Sequence, residues 1–270
     1  MSEAQPGNAG EWAGRDLGER TVAYTERDAI LYALAVGAPV DDLSLVFEEQ
    51  LRVLPTFALT LAQWAPDVLA EAKAFDTTRA VHGSQRLTVL KPLPRSGELT
   101  MRARVTNVWD KGAAAIFDVE VESDYFVATW SLFAPGSGGF GGERGPAREP
   151  APESEPTWSQ QVTTSANQAA LYRLLGDLHR IHIDPAAAET IGASRPILHG
   201  LCTLAATTFA LAEHAGAHPA DLASLEGRFA AMMLPGDDLQ VHGWDDGQFS
   251  ADSTAGTVIA GGRATFGGTR

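Results

Sequence analysis

The chain is nearly devoid of cysteine: Cys202 stands alone among 270 residues. An internal disulfide and a cysteine-rich zinc site are therefore excluded, and a reducing compartment is the natural expectation. Basic residues are also scarce, with 20 Lys and Arg against 34 Asp and Glu and a net charge of −14. Such a chain has no positive field to gather phosphates, which excludes nucleic acid as a general partner. Any anionic ligand has to be met by a few local basic groups. Long hydrophobic runs are missing too. The longest apolar stretch, Leu201 to Ala212, is too short to cross a bilayer, so no membrane partner is expected. The N-terminal Met1 to Glu19 is polar and Gly-rich without an apolar signal core, and the final Gly-Gly-Thr-Arg is not a peroxisomal address. The expectation is a cytoplasmic protein. With 44% hydrophobic and 20% charged residues, the composition reads as globular.

The stretch from Pro135 to Pro156, with Gly-Ser-Gly-Gly-Phe-Gly-Gly followed by scattered Pro and Glu, cannot bury a core. It divides the chain into residues 1–135, a linker at 136–156, and residues 157–270. The two halves look like one unit written twice. Leu31-Tyr32-Ala33-Leu34 returns as Leu171-Tyr172-Arg173-Leu174, and Leu54 to Ala62 returns as Ile197 to Ala205. Each half predicts a short helix (Glu26–Val36; Asn167–Leu175), then a longer apolar helix (Thr56–Ala70; Gly200–His214). Strand-like runs follow, near Ser84–Leu90, Leu99–Val108, Ala114–Glu122 and Phe126–Phe133 in the first half. In the second they fall near Ser224–Met233, Leu239–Trp244, Gly247–Asp252 and Thr257–Phe266. Turn signals such as Asp110-Lys111-Gly112 separate them. An apolar helix followed by an antiparallel meander predicts an α+β unit with a sheet wrapped on the helix.

The densest chemistry lies in residues 171–203, where Asp177 and His182 sit five positions apart and Gly200 precedes the apolar run. Five residues turn a helix by about 500°, and an odd spacing puts strand residues on opposite faces. Only an irregular segment brings the two together, and Gly176 and Pro185 punctuate one. The competing reading is an ordinary polar turn. The first half carries Gly37-Ala38 and no nearby histidine at the matching place, and Phe57 where the second has Gly200. One half keeps the reactive groups, and the other is expected to keep the fold and lend surface to a substrate. A zinc site can be drawn from His179, His182, Asp184 and His199, but it needs four groups of one irregular stretch to converge, so no metal is expected. His199 reads as a packed supporting residue, and Cys202 as buried and inert.

These residues carry a resemblance. Tyr172-Arg-Leu-Leu-Gly-Asp-Leu-His-Arg-Ile-His-Ile-Asp-Pro185, ending in Pro196-Ile-Leu-His-Gly-Leu-Cys202, resembles the signature of MaoC-like type 2 enoyl-CoA hydratases. Arg27 to Gly37, Val53-Leu-Pro-Thr-Phe-Ala58, Val81-His-Gly-Ser-Gln85 and Lys91-Pro-Leu-Pro-Arg95 are similar to the same family. The resemblance implies a double hot-dog fold, with each half an antiparallel sheet around a long helix. It implies reversible syn addition of water to a trans-2-enoyl-CoA, giving an (R)-3-hydroxyacyl-CoA. It places the acid–base pair on Asp177 and His182, and the thioester-oxygen donor on the backbone N–H of Gly200. Substrate contacts fall on His82, Gly83, Lys111, His179 and Phe229. The CoA thioester is the substrate, no cofactor is implied, and a homodimer is. The chain departs from the family at His179, where Asn is usual, at Arg180, where Pro is usual, and at Leu175, where a small hydroxyl residue is frequent. A non-catalytic acyl-thioester binder and a thioesterase are the competing classes. Binding of crotonyl-CoA without turnover, or release of free thiol, distinguishes them.

Overall fold

The computed structural model describes residues 8–267. Its strands are β1 (Asp16–Tyr24), β2 (Val81–Val89), β3 (Gly97–Asp110), β4 (Ala114–Glu122), β5 (Phe126–Pro135), β6 (Trp158–Thr163), β7 (Leu222–Phe229), β8 (Asp238–Gly243), β9 (Gln248–Ser253) and β10 (Gly256–Phe266). The helices are α1 (Glu26–Ala35), α2 (Leu43–Val46), α3 (Phe57–Leu61), α4 (Trp64–Glu71), α5 (Gln168–Tyr172), α6 (Pro185–Thr190) and α7 (Gly200–His214).

All ten strands join one sheet in the order β1-β3-β4-β5-β2-β7-β10-β9-β8-β6. The order is a palindrome: the second half repeats the first in reverse. The two repeats meet at β2 and β7, which pair antiparallel from Ser84–Arg228 to Thr88–Ser224. Arg86 lies directly opposite Glu226 there and forms an ion pair at 3.1 Å. The central strands alternate buried and exposed residues, as in Leu99-Met101-Ala103-Val105 of β3 and Phe117-Val119-Val121 of β4. One face of the sheet therefore packs on the helices and the other faces water. α7 is buried round most of its circumference, packing against β6, β7, β8 and β10. Its threonines do not waste their hydroxyls: Thr203, Thr207 and Thr208 donate to the carbonyls of His199, Leu204 and Ala205. This is the double hot-dog architecture.

Three features depart from expectation. The long helix predicted over Thr56–Ala70 is two short ones, α3 and α4. Pro66 has no N–H for the carbonyl of Ala62, and its ring crowds that carbonyl, so the helix breaks at Ala62–Gln63. The strand expected to run to Met233 ends at Phe229. β1 and β6 carried no strand signal in the sequence. Both are edge strands, β1 largely exposed and β6 only half-covered, so neither shows a clean apolar alternation. The glycine-rich start of segment 136–156 is anchored on the first half. The amides of Gly139 and Gly141 donate to the buried Asp110 carboxylate, which, with the Gly112 amide, holds that acid down at about 2.

Candidate active site

After α5 the chain makes a short 3-10 turn, Arg173–Leu175, and then Gly176 at φ +154°. That conformation favours glycine and turns the chain into the irregular stretch. Asp177 Oδ1 accepts from the amide of His179 at 3.1 Å. A second 3-10 turn, Arg180–His182, is capped by His179, whose Nδ1 accepts from Ile181 N at 3.4 Å. Asp184 then caps α6 and pairs with Arg180. This succession of local turns overcomes the awkward five-residue spacing. Asp177 Oδ2 lies 3.9 Å from His182 Nε2.

The protonation of His182 follows from its partners. Nδ1 lies 2.9 Å from the carbonyl of Ile197. A carbonyl only accepts, so Nδ1 carries the hydrogen and Nε2 presents a lone pair towards Asp177. Burial pushes the imidazole below its ordinary value, against the pull of the Ile197 carbonyl and the Asp177 charge. The group is therefore neutral at neutral pH and able to act as a base. The 3.9 Å gap is too long for a direct hydrogen bond and suits one bridging water.

Gly200 is the first residue of α7, whose N-terminus has no side-chain cap. The amides of a helix's first turn lack intrahelical partners and sit at the positive end of its dipole. A β-carbon on Gly200 would stand 2.9 Å from the Phe229 ring, so only glycine fits between ring and helix. Phe229 in turn meets His82 edge-on, with ring centroids 4.7 Å apart. His82 Nε2 donates to the carbonyl of Ser84 at 3.1 Å, leaving Nδ1 as an acceptor. Burial lowers His82 to about 4. Gly83 is the extra residue of a β-bulge opposite Leu132 and Ser131, where a β-carbon would come 3.1 Å from the Ser131 carbonyl.

The residues singled out in the sequence thus divide. Asp177, His182, Gly200, His82, Gly83 and Phe229 form one connected set, to which the first half contributes His82 and Gly83. His179 lies exposed at its mouth, its ring 6.3 Å from that of His182. Lys111 stands apart on the β3–β4 turn, where its ammonium donates to the carbonyl of Arg144. Cys202 is fully buried beside Gln168 and the Ala35 carbonyl, and burial pushes its thiol up to about 12, so it is inert. Two surface clefts, one of about 280 Å³ lined by Trp158, His214 and Trp244, lie at the other end of α7, about 20 Å away by helix rise.

Two residues of the quoted motif that were given no role in the sequence also reach the site. Tyr172 is buried, meets the His199 ring at a tilt of 48°, and lies 3.3 Å from Thr60 of the first half. Arg173 has a buried Nε without an acceptor, and its charge depresses both His182 and His199. Its signal was the repeat itself: Ala33 occupies the matching position.

Among the described residues, Asp177, His182 and His199 are the one cluster offering three ligand atoms, all within 4.8 Å of one another. It does not suit a metal. The two imidazoles stack at 3.5 Å and 20°, so their in-plane lone pairs lie in nearly parallel planes instead of converging. One nitrogen of each is already committed to a carbonyl. The other members of the drawn zinc site are engaged elsewhere, Asp184 with Arg180 and His179 in its cap.

A palindromic sheet wrapped on a central helix, with one acid–imidazole pair at that helix's N-terminus, defines a MaoC-like double hot-dog enzyme. Residues 22–129 match the MFE-2 hydratase 2 N-terminal domain, and residues 148–265 match the MaoC like domain. The chain is 35% identical over 252 residues to enoyl-CoA hydratase ChsH3 of Mycobacterium tuberculosis, covering 87% of this chain and 88% of that protein. It is 38% identical over 253 residues to the peroxisomal multifunctional enzyme type 2 of Mus musculus, covering 87% of this chain but only 34% of the mouse protein. The crystal structure of a MaoC-like dehydratase from Phytophthora capsici superposes with a TM-score of 0.84 at 26% identity, covering 95% of this chain and 97% of that one. The chain belongs to the MaoC-like hydratase 2 family.

Proposed function

We propose that this protein catalyses the reversible syn addition of water to trans-2-enoyl-CoA, forming (R)-3-hydroxyacyl-CoA. The observation that carries the reading is the unprotonated Nε2 of His182 facing the Asp177 carboxylate across 3.9 Å, beside the uncapped start of α7. A water held between the two groups delivers its hydroxyl to C3 and a proton to C2 on the same face. One O–H bond of water and the C2=C3 π bond break, C3–O and C2–H bonds form, and both side chains return to their starting states. The Gly200 amide meets the thioester oxygen as charge develops on it, a contribution of about 3 kcal/mol to the barrier in comparable sites. His82, Gly83 and Phe229 wall the thioester. The chemistry uses no metal or redox cofactor.

The relative named above as an enoyl-CoA hydratase supports this substrate class. The test is direct: mix the protein with crotonyl-CoA, follow loss of enoyl absorbance, and resolve the product's stereochemistry. An (R) product supports the reading. Binding without turnover, or free-thiol release, defeats it. A homodimer belongs to the same proposal and is checked by light scattering. So does cytoplasmic residence, which the lone reduced thiol suits and cell fractionation tests. No helix among the described residues is long and apolar enough to cross a membrane.

A further inference from the structure

His199 is a buried polar group that lacks a full set of partners and touches both Asp177 and His182. It is 2% exposed, and its Nδ1 is buried without a partner. Its other nitrogen, Nε2, lies 3.2 Å from the main-chain carbonyl of Asp177 and must be the donor. That fixes the tautomer and leaves Nδ1 as a bare, unsatisfied lone pair. Orphaned buried groups are destabilising and uncommon, and one in a native site calls for a functional reason.

The reason lies in what the ring touches. One face stacks on His182 at 3.5 Å and 20°. The ring also meets Tyr172, with centroids 4.7 Å apart, which contacts Tyr32 at 6.1 Å, which contacts Phe57 at 5.0 Å. Tyr32 and Tyr172 are repeat mates, so a file of rings runs from the core of the first half to the imidazole of the second. His199 is also the residue before Gly200, and its carbonyl accepts from the Thr203 amide and hydroxyl in the first turn of α7. His199 therefore touches Asp177, His182 and the start of α7. Its face sets the plane of His182, its edge holds the backbone of Asp177, and its peptide leads into the Gly200 amide.

We infer that His199 is a positioning residue that fixes the mutual geometry of Asp177 and His182 through its ring face and its Nε2–H. The inference rests on the hydratase reading for its activity arm. Nothing smaller or non-aromatic performs both tasks. Phenylalanine supplies the face without the donor, and asparagine supplies a donor without the face.

His199→Phe and His199→Asn test the two tasks separately. Misplacement of a catalytic group by about 1 Å costs up to about 100-fold. Each variant is accordingly expected to stay folded and to lose about 10–100-fold in kcat, with KM changed less than about threefold. The acid limb of the pH profile separates them further. Burial sets it first, lowering His182; the Ile197 carbonyl and the Asp177 charge favour the charged form, and His179 and Arg173 oppose it. His199→Phe keeps the imidazole covered and leaves the limb in place. His199→Asn admits water to its face, so the limb moves up towards the ordinary imidazole value of about 6.5. The same shift is read without turnover by NMR titration of the His182 ring. Wild-type protein that fails to hydrate crotonyl-CoA defeats the hydratase reading, while the NMR titration still decides whether His199 shapes His182. Variants with wild-type kcat and an unmoved His182 titration overturn the positioning role. So does a loss of activity matched by an equal loss of folded protein.

Discussion

Gly200→Ala is the most discriminating single substitution. The added methyl would stand 2.9, 3.0 and 3.2 Å from three carbons of the Phe229 ring, distances that force a displacement. Phe229 is backed by His82, so the ring cannot retreat freely. Either the ring is driven towards His82, or the start of α7 moves. Overpacking of this kind costs about 1–3 kcal/mol. Alanine repays up to about 1 kcal/mol through helix propensity. The net effect on stability is therefore small, on the order of 1 kcal/mol. Activity responds differently. If the Gly200 amide is swung out of line, the loss approaches that of an oxyanion donor, about 2.7–4 kcal/mol, or about 100- to 1000-fold in kcat. Initial rates of crotonyl-CoA hydration and a thermal melt on the same sample separate the two quantities. Because the clash is with one ring, Phe229→Leu in the Gly200→Ala background is expected to restore part of the rate, with a coupling of about 0.5–3 kcal/mol against the single variants. A Gly200→Ala enzyme with wild-type kcat refutes the role of the amide. A deficit that ignores residue 229 refutes the steric route.

Asp177→Asn and His182→Ala should each leave the melting temperature within a few degrees and lower kcat by about 10²–10⁴-fold; retained activity in either removes that residue from the chemistry. The kcat/KM profile should be flat at neutral pH and fall on the acid side below the ordinary imidazole value, because the base must be uncharged and burial holds His182 low; a limb above that value contradicts the assignment. Stability should also decline in acid. His82 and His199 are held at about 4 and about 3 in the folded chain, so the unfolded chain takes up their protons first as pH drops below about 6.5. Their contribution is whole above that pH and is lost on the way down, which denaturant titrations at several pH values will show as a falling midpoint. Arg86→Ala, by contrast, should change stability by less than about 1 kcal/mol in the same titrations, since its bridge to Glu226 is solvent-exposed.

Much of this architecture was legible in the residues themselves. The repeat Leu31-Tyr32 and Leu171-Tyr172 gave two copies of one unit, and the alternation in β3 and β4 gave the meander. The spacing of Asp177 and His182 showed only that an irregular segment was needed to join them, because neither a helix nor a strand brings residues five apart together; their pairing as acid and base was what the family resemblance implied. What stayed hidden depends on long-range context. Edge strands β1 and β6 have little buried face and so no pattern. The break at Pro66, by contrast, was written in the chain: it is the eleventh residue of the expected Thr56–Ala70 helix, where a proline removes an internal hydrogen bond. Tyr172 acquires its place only when the halves close on each other, through Thr60 and Tyr32, and Arg173 differs from its mate Ala33 in a way that has meaning only beside two imidazoles.

The palindrome of strands has a consequence for how the protein is made. β2 owes one of its two hydrogen-bonded neighbours to β7, which is synthesised long after it. While the ribosome is still reading the second repeat, the nascent first repeat carries an open border along Ser84 to Thr88 of β2, with Leu87 on it. Such a border invites pairing with any passing strand, including the same border on another nascent chain. Covalent fusion of the repeats guarantees the right neighbour, but only once translation has passed Phe229, so crowding of half-made chains is the stage at which this molecule is most exposed to aggregation.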